Sequence, residues 1–308
     1  DFDDVSFEGM VHATAVVWPA VLAAAQSKQT SGEDALAAFV AGVEIEYALG
    51  RAFTHDLFWR GWWTTGLLGV FGAVTGASKA LGLTANLIRE AICIAACQTT
   101  SPYVLVGSQI KPFASGRAAE LGVQAAFLAK EGLTAPRDVF ENSHGIINMF
   151  GDGTFKQSEI NKLGDHFVLS SSGVAFKKYP VCAAAQSSVE ALINLLERYD
   201  LNKKKIFSVC CEVTPQAGHY MPFKNPQNLN EAQFSLEFCL ACVIVTGGLT
   251  IGNFSQDFIS SMEIKESIPK IKVIYCDKLA NEERNSSKIS QPARVTLSTD
   301  CGKKYAHF

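Results

Sequence analysis

RGWWTTGLLGVFGAVTGASKALGL, residues 60–83, decides the fold. From Gly61 to Ser78 it carries no charged residue and five glycines. Glycine at that density suits helices packed closely in a water-soluble core better than a membrane span, so no transmembrane helix is expected. Outward on both sides, from His12 to about Lys130, apolar residues recur at i, i+3, i+4 spacing between short polar or glycine breaks. That spacing predicts helices over 13–28, 33–51, 65–81, 85–99 and 116–131. Ser31 with Asp34 forms a capping box, and Thr84 is the expected N-cap of the run that follows it. Gly50, Gly82 and Gly132 stand where helix ends favour a residue tolerant of positive φ. The first half therefore reads as a helical bundle.

A short helix is expected over 137–141, and the glycine- and asparagine-rich HGIINMFGDGTFKQ, 144–157, reads as a loop at a domain junction. Beyond it the texture changes. A strand over 174–177, a helix over 183–199 and a strand over 205–213 suggest a strand–helix–strand unit. Further strands are expected over 271–276 and 293–298, with helices over 231–247 and 257–262. The fold class expected is mainly α, a large helical bundle domain (1–152) with a smaller α+β domain (153–308).

With 308 residues and a net charge of −3 from interspersed charges, nothing draws this chain to phosphate backbones or anionic membranes. Nucleic acid and membrane are excluded as partners on that ground. Nine cysteines, an odd number, lie largely in apolar runs, which favours a reducing, intracellular setting, cytoplasm or mitochondrion. Cys239 and Cys242 form a C-x-x-C inside an apolar helical pattern with no second ligand pair, so they read as core. Sequons at Asn253 and Asn285 are at chance level. There is no G-x-G-x-x-G after a strand, no P-loop, no H-E-x-x-H, no G-x-S-x-G and no histidine pair at i, i+4. An active site without cofactor or metal is the simpler expectation.

Chemistry concentrates in FKKYPVCAAAQSSVEA, 176–191, where Lys177 and Lys178 and a Tyr-Pro turn precede an amphipathic helix. Two cations beside a helix start suggest a carboxylate pocket. In a strand these lysines would alternate, one inward and one to solvent. Lys111 lies in the apolar SPYVLVGSQIKPF, where a charge before proline points either to an anion or to a snorkelling surface lysine.

The block that starts at DFDD and runs through His12, then SGEDALAAFVAGVEIEYALGR, residues 60–83, KPFASGRAAELGVQAAFLAKEG, FKKYPVCAAAQSSVEAL and NPQNLNEAQFSLEF follow one another in the order of the MmgE/PrpD family. The chain resembles that family over nearly its whole length. The family includes 2-methylcitrate dehydratases, cis-aconitate decarboxylases, alkylcitrate dehydratases and an iminodisuccinate epimerase. The likeness is greatest to the cis-aconitate decarboxylase branch, through GVAFKKYP and the spacing of Tyr220 and Pro226. It implies a homodimer in which an active site lies between a helical domain and an α+β lid, with further helices beyond both ends of this sequence.

The resemblance also implies roles. His12 matches the family's catalytic histidine and Asp1 its aspartate, with Asp3 and Asp4 as alternatives. Lys111 and Lys177 match its lysines and Tyr220 its pocket tyrosine. Removing water or carbon dioxide from a citrate-like acid needs cations for several carboxylates and a group that moves a proton at carbon. Trp63 stands where active members carry a histidine, and indole takes no part in proton transfer at neutral pH. Cys182 and Gln186 likewise replace pocket histidines, so all three are expected to line the substrate. The function implied is a cofactor-independent lyase, dehydratase or decarboxylase, on a small citrate- or aconitate-like acid, alkyl-substituted if the indole walls the pocket. A catalytically silent family member retained as a dimer partner, or a dicarboxylate epimerase, is the alternative.

Overall fold

Helix α4, Thr64–Ala80, is buried along almost its entire length, which an α-helix achieves only when neighbours close on it from every side. Its glycines make that possible. In the computed structural model a Cβ at Gly72 would lie 2.9 Å from the Gly42 carbonyl and from a Val17 methyl, and one at Gly69 would lie 3.0 Å from Val16. Across α4, a Cβ at Gly122 would meet Ala73 at 2.5 Å. Hydrogen at these positions lets the backbones come close enough for dispersion contacts along the whole seam.

The structure describes residues 2–53, 56–151, 153–201, 203–280 and 291–308. They form two compact units, one within residues 3–176 and one within residues 177–308 together with Phe2. The first unit contains α1 (Ala13–Lys28), α2 (Gly32–Phe53), α3 (Asp56–Trp59), α4, α5 (Ala85–Ala96), α6 (Ile110–Lys130), α7 (Ile146–Phe150) and α8 (Gln157–Ile160). Helices α1 and α4 run parallel. The amide of His12, before α1, donates to Thr65 Oγ1 at 3.0 Å, and at the far end Thr30 donates to the Ala80 carbonyl at 2.8 Å. Residues after 152 belong to this packing too. Phe155 lies edge-on to Phe53 at 4.9 Å, and the amides of Val168 and Leu169 both donate to the Glu44 carboxylate at 2.9 Å.

The second unit carries one sheet in the order β2-β1-β3-β4, from β1 (Ile206–Val213), β2 (Ile271–Tyr275), β3 (Ala293–Thr299) and β4 (Lys304–His307). β1 pairs parallel with β2, Val209 opposite Ile271, and antiparallel with β3, Cys210 opposite Thr296. Between α9 (Gln186–Arg198) and β2 come α10 (Pro215–Tyr220), α11 (Leu229–Ala232), α12 (Leu236–Thr246), α13 (Gln256–Ile259) and α14 (Met262–Ser267). Cys239 and Cys242 are fully buried in α12, as core, and burial pushes both thiols up. All nine cysteines are thiols. The described residues are mainly α, with this one small sheet. Among them no helix is long and apolar enough to cross a membrane.

Several expectations are corrected. α6 begins at Ile110, before the expected 116, because Pro112 falls in the first turn, where a missing N–H has no intrahelical partner to lose. Gly50 is not a helix end but lies inside α2, where a Cβ would overlap the Gly9 carbonyl. Residues 137–141 form turns, while the stretch read as a loop contains α7. The expected strand 174–177 is absent: Ala175 makes only an isolated bridge to Val5, and the amides that follow the stretch, of Lys178 and Tyr179, are taken by the Gln186 side chain. The expected helix 231–247 is broken in two, Ser235 capping α12 through the Phe238 amide, and 257–262 divides between α13 and α14.

One carboxyl group is wholly enclosed by the helical core. Glu46 is 0% exposed, both its carboxyl oxygens lack hydrogen-bond partners, and burial, then the nearby Asp4 carboxylate, raises its pKa well above the ordinary 4.5. The folded chain therefore keeps a proton that the unfolded chain releases near pH 4.5, so stability falls as pH rises above that value until the folded group ionises. Urea midpoints measured at pH 5 and pH 8 should show this loss, and Glu46→Gln should flatten it; an unchanged slope would mean another group is responsible.

Candidate active site

Residues 3–12 fold back on the helices. Val5 and Ala175 exchange amide–carbonyl bonds at 3.0 and 2.9 Å, Ser6 and Val11 form a second bridge, and Met10 takes a positive φ of 56° to close the bend. This returns the acidic segment to the start of α1. His12 Nδ1 lies 2.6 Å from the Asp4 carbonyl and 3.5 Å from Asp3 Oδ2. A carbonyl only accepts, so Nδ1 carries hydrogen in the neutral ring and Nε2 is the nitrogen that gains or loses the exchangeable proton. Asp4 is buried and its carboxylate accepts from the Thr14 hydroxyl at 2.9 Å. The aspartates beside His12 are thus Asp3 and Asp4, while Asp1 lies outside the described residues.

The start of α4 is tied into the same place. Thr64 donates to the Met10 carbonyl and Thr65 accepts from the His12 amide. Trp63 is the N-cap of α4, 5% exposed, with its amide donating to Ser101 at 2.8 Å. Lys111 is 8% exposed in the first turn of α6, its Nζ 5.4 Å from the centre of the Trp63 ring. His12, Asp3, Asp4, Thr64, Thr65, Trp63 and Lys111 therefore form one chain of contacts across the N-termini of α1, α4 and α6. Each of these helices exceeds 15 residues, and their aligned peptide dipoles leave partial positive charge at this end. A lysine in a first turn opposes that dipole. The indole face offsets part of the cost, and an anion bound there would relieve the rest.

In the second unit Lys177 is half-buried immediately before the Tyr-Pro turn, whereas Lys178 is exposed and held by both oxygens of Glu190 at 3.0 and 2.9 Å. Glu190 also accepts from the Tyr179 hydroxyl, and these two donors lower its pKa. Gln186, expected against substrate, instead bonds only to the backbone of the turn. Cys182 is half-buried, its amide donating to the Gln233 carbonyl at 3.1 Å. Tyr220 ends α10, its hydroxyl accepting from Gln216 Nε2. The neighbouring His219 has its pKa lowered by desolvation. Among the described residues no cluster of three or more histidine, cysteine or acidic side chains is arranged to hold a metal. Thr64, Thr65 and Gln216 escaped the sequence reading; the only signal for the threonines is their position directly after an N-cap residue.

The model of the MmgE/PrpD N-terminal domain matches residues 1–158, and that of the MmgE/PrpD C-terminal domain matches residues 179–307. Cis-aconitate decarboxylase of Homo sapiens is 28% identical over 292 residues, covering 89% of this chain and 58% of its own length. The enzyme of the same name from Mus musculus is 25% identical over 286 residues, covering 89% and 57%. That of Aspergillus terreus is 28% identical over 280 residues, covering 83% and 56%. The chain thus spans less than two thirds of the length of these relatives.

Thr65 is fully buried, so Thr65→Val leaves the His12 amide without its acceptor in a nearly isosteric core. We expect a loss of about 1–2 kcal/mol, read as a lower denaturant midpoint. A change under about 0.3 kcal/mol would show that this bond does not hold the end of α4 to α1.

Proposed function

The chain belongs to the MmgE/PrpD family, and on that footing we propose that it is a lyase acting on an aconitate- or citrate-like polycarboxylic acid. Decarboxylation is favoured over dehydration because the relatives above are named cis-aconitate decarboxylases. The observation that carries the reading is the convergence of a proton-exchanging imidazole, a buried lysine and three helix N-termini. That end of the helical unit suits carboxylates and supplies a proton carrier beside them.

In the proposed reaction Lys111 and the helix N-termini hold carboxylates of the acid. As one carboxylate leaves as carbon dioxide, the electron pair of the broken carbon–carbon bond passes into the conjugated system, where the retained positive charge stabilises it. His12, with Nδ1–H held by the Asp4 carbonyl, delivers a proton from Nε2 to that carbon, and Asp3 steadies the imidazolium. Lys177 is assigned to a further carboxylate and Tyr220 to a hydroxyl donor. Residues of this chain suffice for these steps, so no cofactor is invoked. Trp63 cannot exchange protons and presents an apolar face, which fits an alkyl-bearing acid. A homodimer in a reducing compartment completes the reading.

A second reading rests on Trp63 alone: a silent member of the family kept as a partner for an active copy. Proton NMR of the protein with cis-aconitate, citrate, 2-methylcitrate and longer alkylcitrates separates the two. Loss of one substrate's signals is expected, and silence across the panel would overturn the lyase. With a substrate found, His12→Ala should lower kcat by about 100-fold or more. Trp63→His should shift preference from alkyl-bearing towards unsubstituted acids; unchanged preference would remove Trp63 from the pocket.

A further inference from the structure

From the bonds around the Lys177–Val181 turn, and resting on the lyase reading above, we infer that Gln186 is the positioning residue of Lys177. Its Oε1 accepts from the amides of Lys178 and Tyr179 at 3.0 and 2.9 Å. Its Nε2 donates to the carbonyls of Tyr179 and Val181 at 2.9 and 3.4 Å. A primary amide offers two acceptor sites and two hydrogens, and all four are committed to one short stretch of main chain. None remains for a substrate.

The buried Tyr179 and Val181 side chains and the Cys182 amide, on the Gln233 carbonyl, hold the later part of the turn, and Gln186 holds the amides next to Lys177. Residues 176–182 belong to no helix or strand, and Pro180 has no amide to give. The second anchor is Glu190, one helical turn along α9 from Gln186, which takes Lys178 Nζ and the Tyr179 hydroxyl. Positions i and i+4 share one helix face, so a single face of α9 grips the turn by backbone at one point and by side chains at the next. Lys177 is the residue immediately before the gripped amides, and the direction of its side chain follows from theirs.

Apart from asparagine, whose amide is one methylene shorter, no other residue type supplies this set of bonds. An imidazole has one donor and one acceptor in its neutral form, a carboxylate has only acceptors, and leucine has neither. Gln186→Leu should therefore free the turn, and Gln186→Glu, which keeps the two bonds to amides, should lie between it and the native chain.

The test is a double-mutant cycle with Lys177→Ala, using the acid that the native enzyme consumes. Gln186→Leu should lower kcat/KM by about tenfold or more through KM, and should cost less than about twofold once Lys177 is alanine. Independent single and double effects would overturn the inference, since a merely structural residue weakens the enzyme whether or not Lys177 is present. In parallel, acetic anhydride labelling of Lys177, read by peptide mass spectrometry against Lys130, should change by about threefold as the surroundings of its amine change. An unchanged rate in folded Gln186→Leu would also overturn it. Labelling needs no substrate, so if the native protein consumes no acid the lyase reading falls while the labelling still decides the role of Gln186. Should Gln186→Leu fail to fold, Gln186→Glu carries both measurements, with half the labelling change expected and none counting against the inference.

Discussion

Close backbone approach along α4 is the constraint from which the rest of the first unit follows. Gly69, Gly72 and Gly76 face the valines of α1 and the Gly42 turn of α2, and Ala73 faces Gly122 of α6. Helices that touch this closely cannot slide independently, because any shift drives a Cβ or carbonyl into a neighbour. The starts of α1, α4 and α6 are therefore held together, and side chains placed in those first turns meet. The chemistry at this end is a by-product of packing further down the helices.

The same end gathers both signs of charge in a particular order. Asp3 and Asp4 act on His12 from the returning N-terminal segment, while Lys111 rests against indole. A carboxylate and a carbonyl thus stand beside the imidazole, and the lysine ammonium lies over the Trp63 ring. Glu46, the fully buried acid of the core, is pushed towards its neutral form by burial. It disturbs this balance less than an ionised neighbour would.

What was legible in the sequence was what repeats. The periods of α1, α2 and α4 and the apolar runs of β1, β2 and β3 are long enough for composition to reveal them, and the motif order revealed the family. What was hidden depends on single contacts. Pro112 lies in the first turn of α6, ahead of the expected start at 116, and its place there is set by what precedes it. The stretch 174–177 looked like a strand, but its pairing stops at the single bridge of Ala175 to Val5, and directly after it the amides of Lys178 and Tyr179 turn to the Gln186 side chain. Among the aspartates of DFDD nothing local marks which meets His12; the bend at Met10, in an unfavourable φ for a side chain, decides it. The short β4 was missed because its four residues alternate too briefly to register.

Trp63 joins the scaffold through its amide, and the two threonines that follow it make the ties to Met10 and His12. Main chain and neighbours thus carry the architecture at this point, and the Trp63 ring rests beneath the Lys111 ammonium. Such a division leaves the position open to exchange: another ring would alter the wall beside Lys111 while the ties made by the amide and the two threonines stay put.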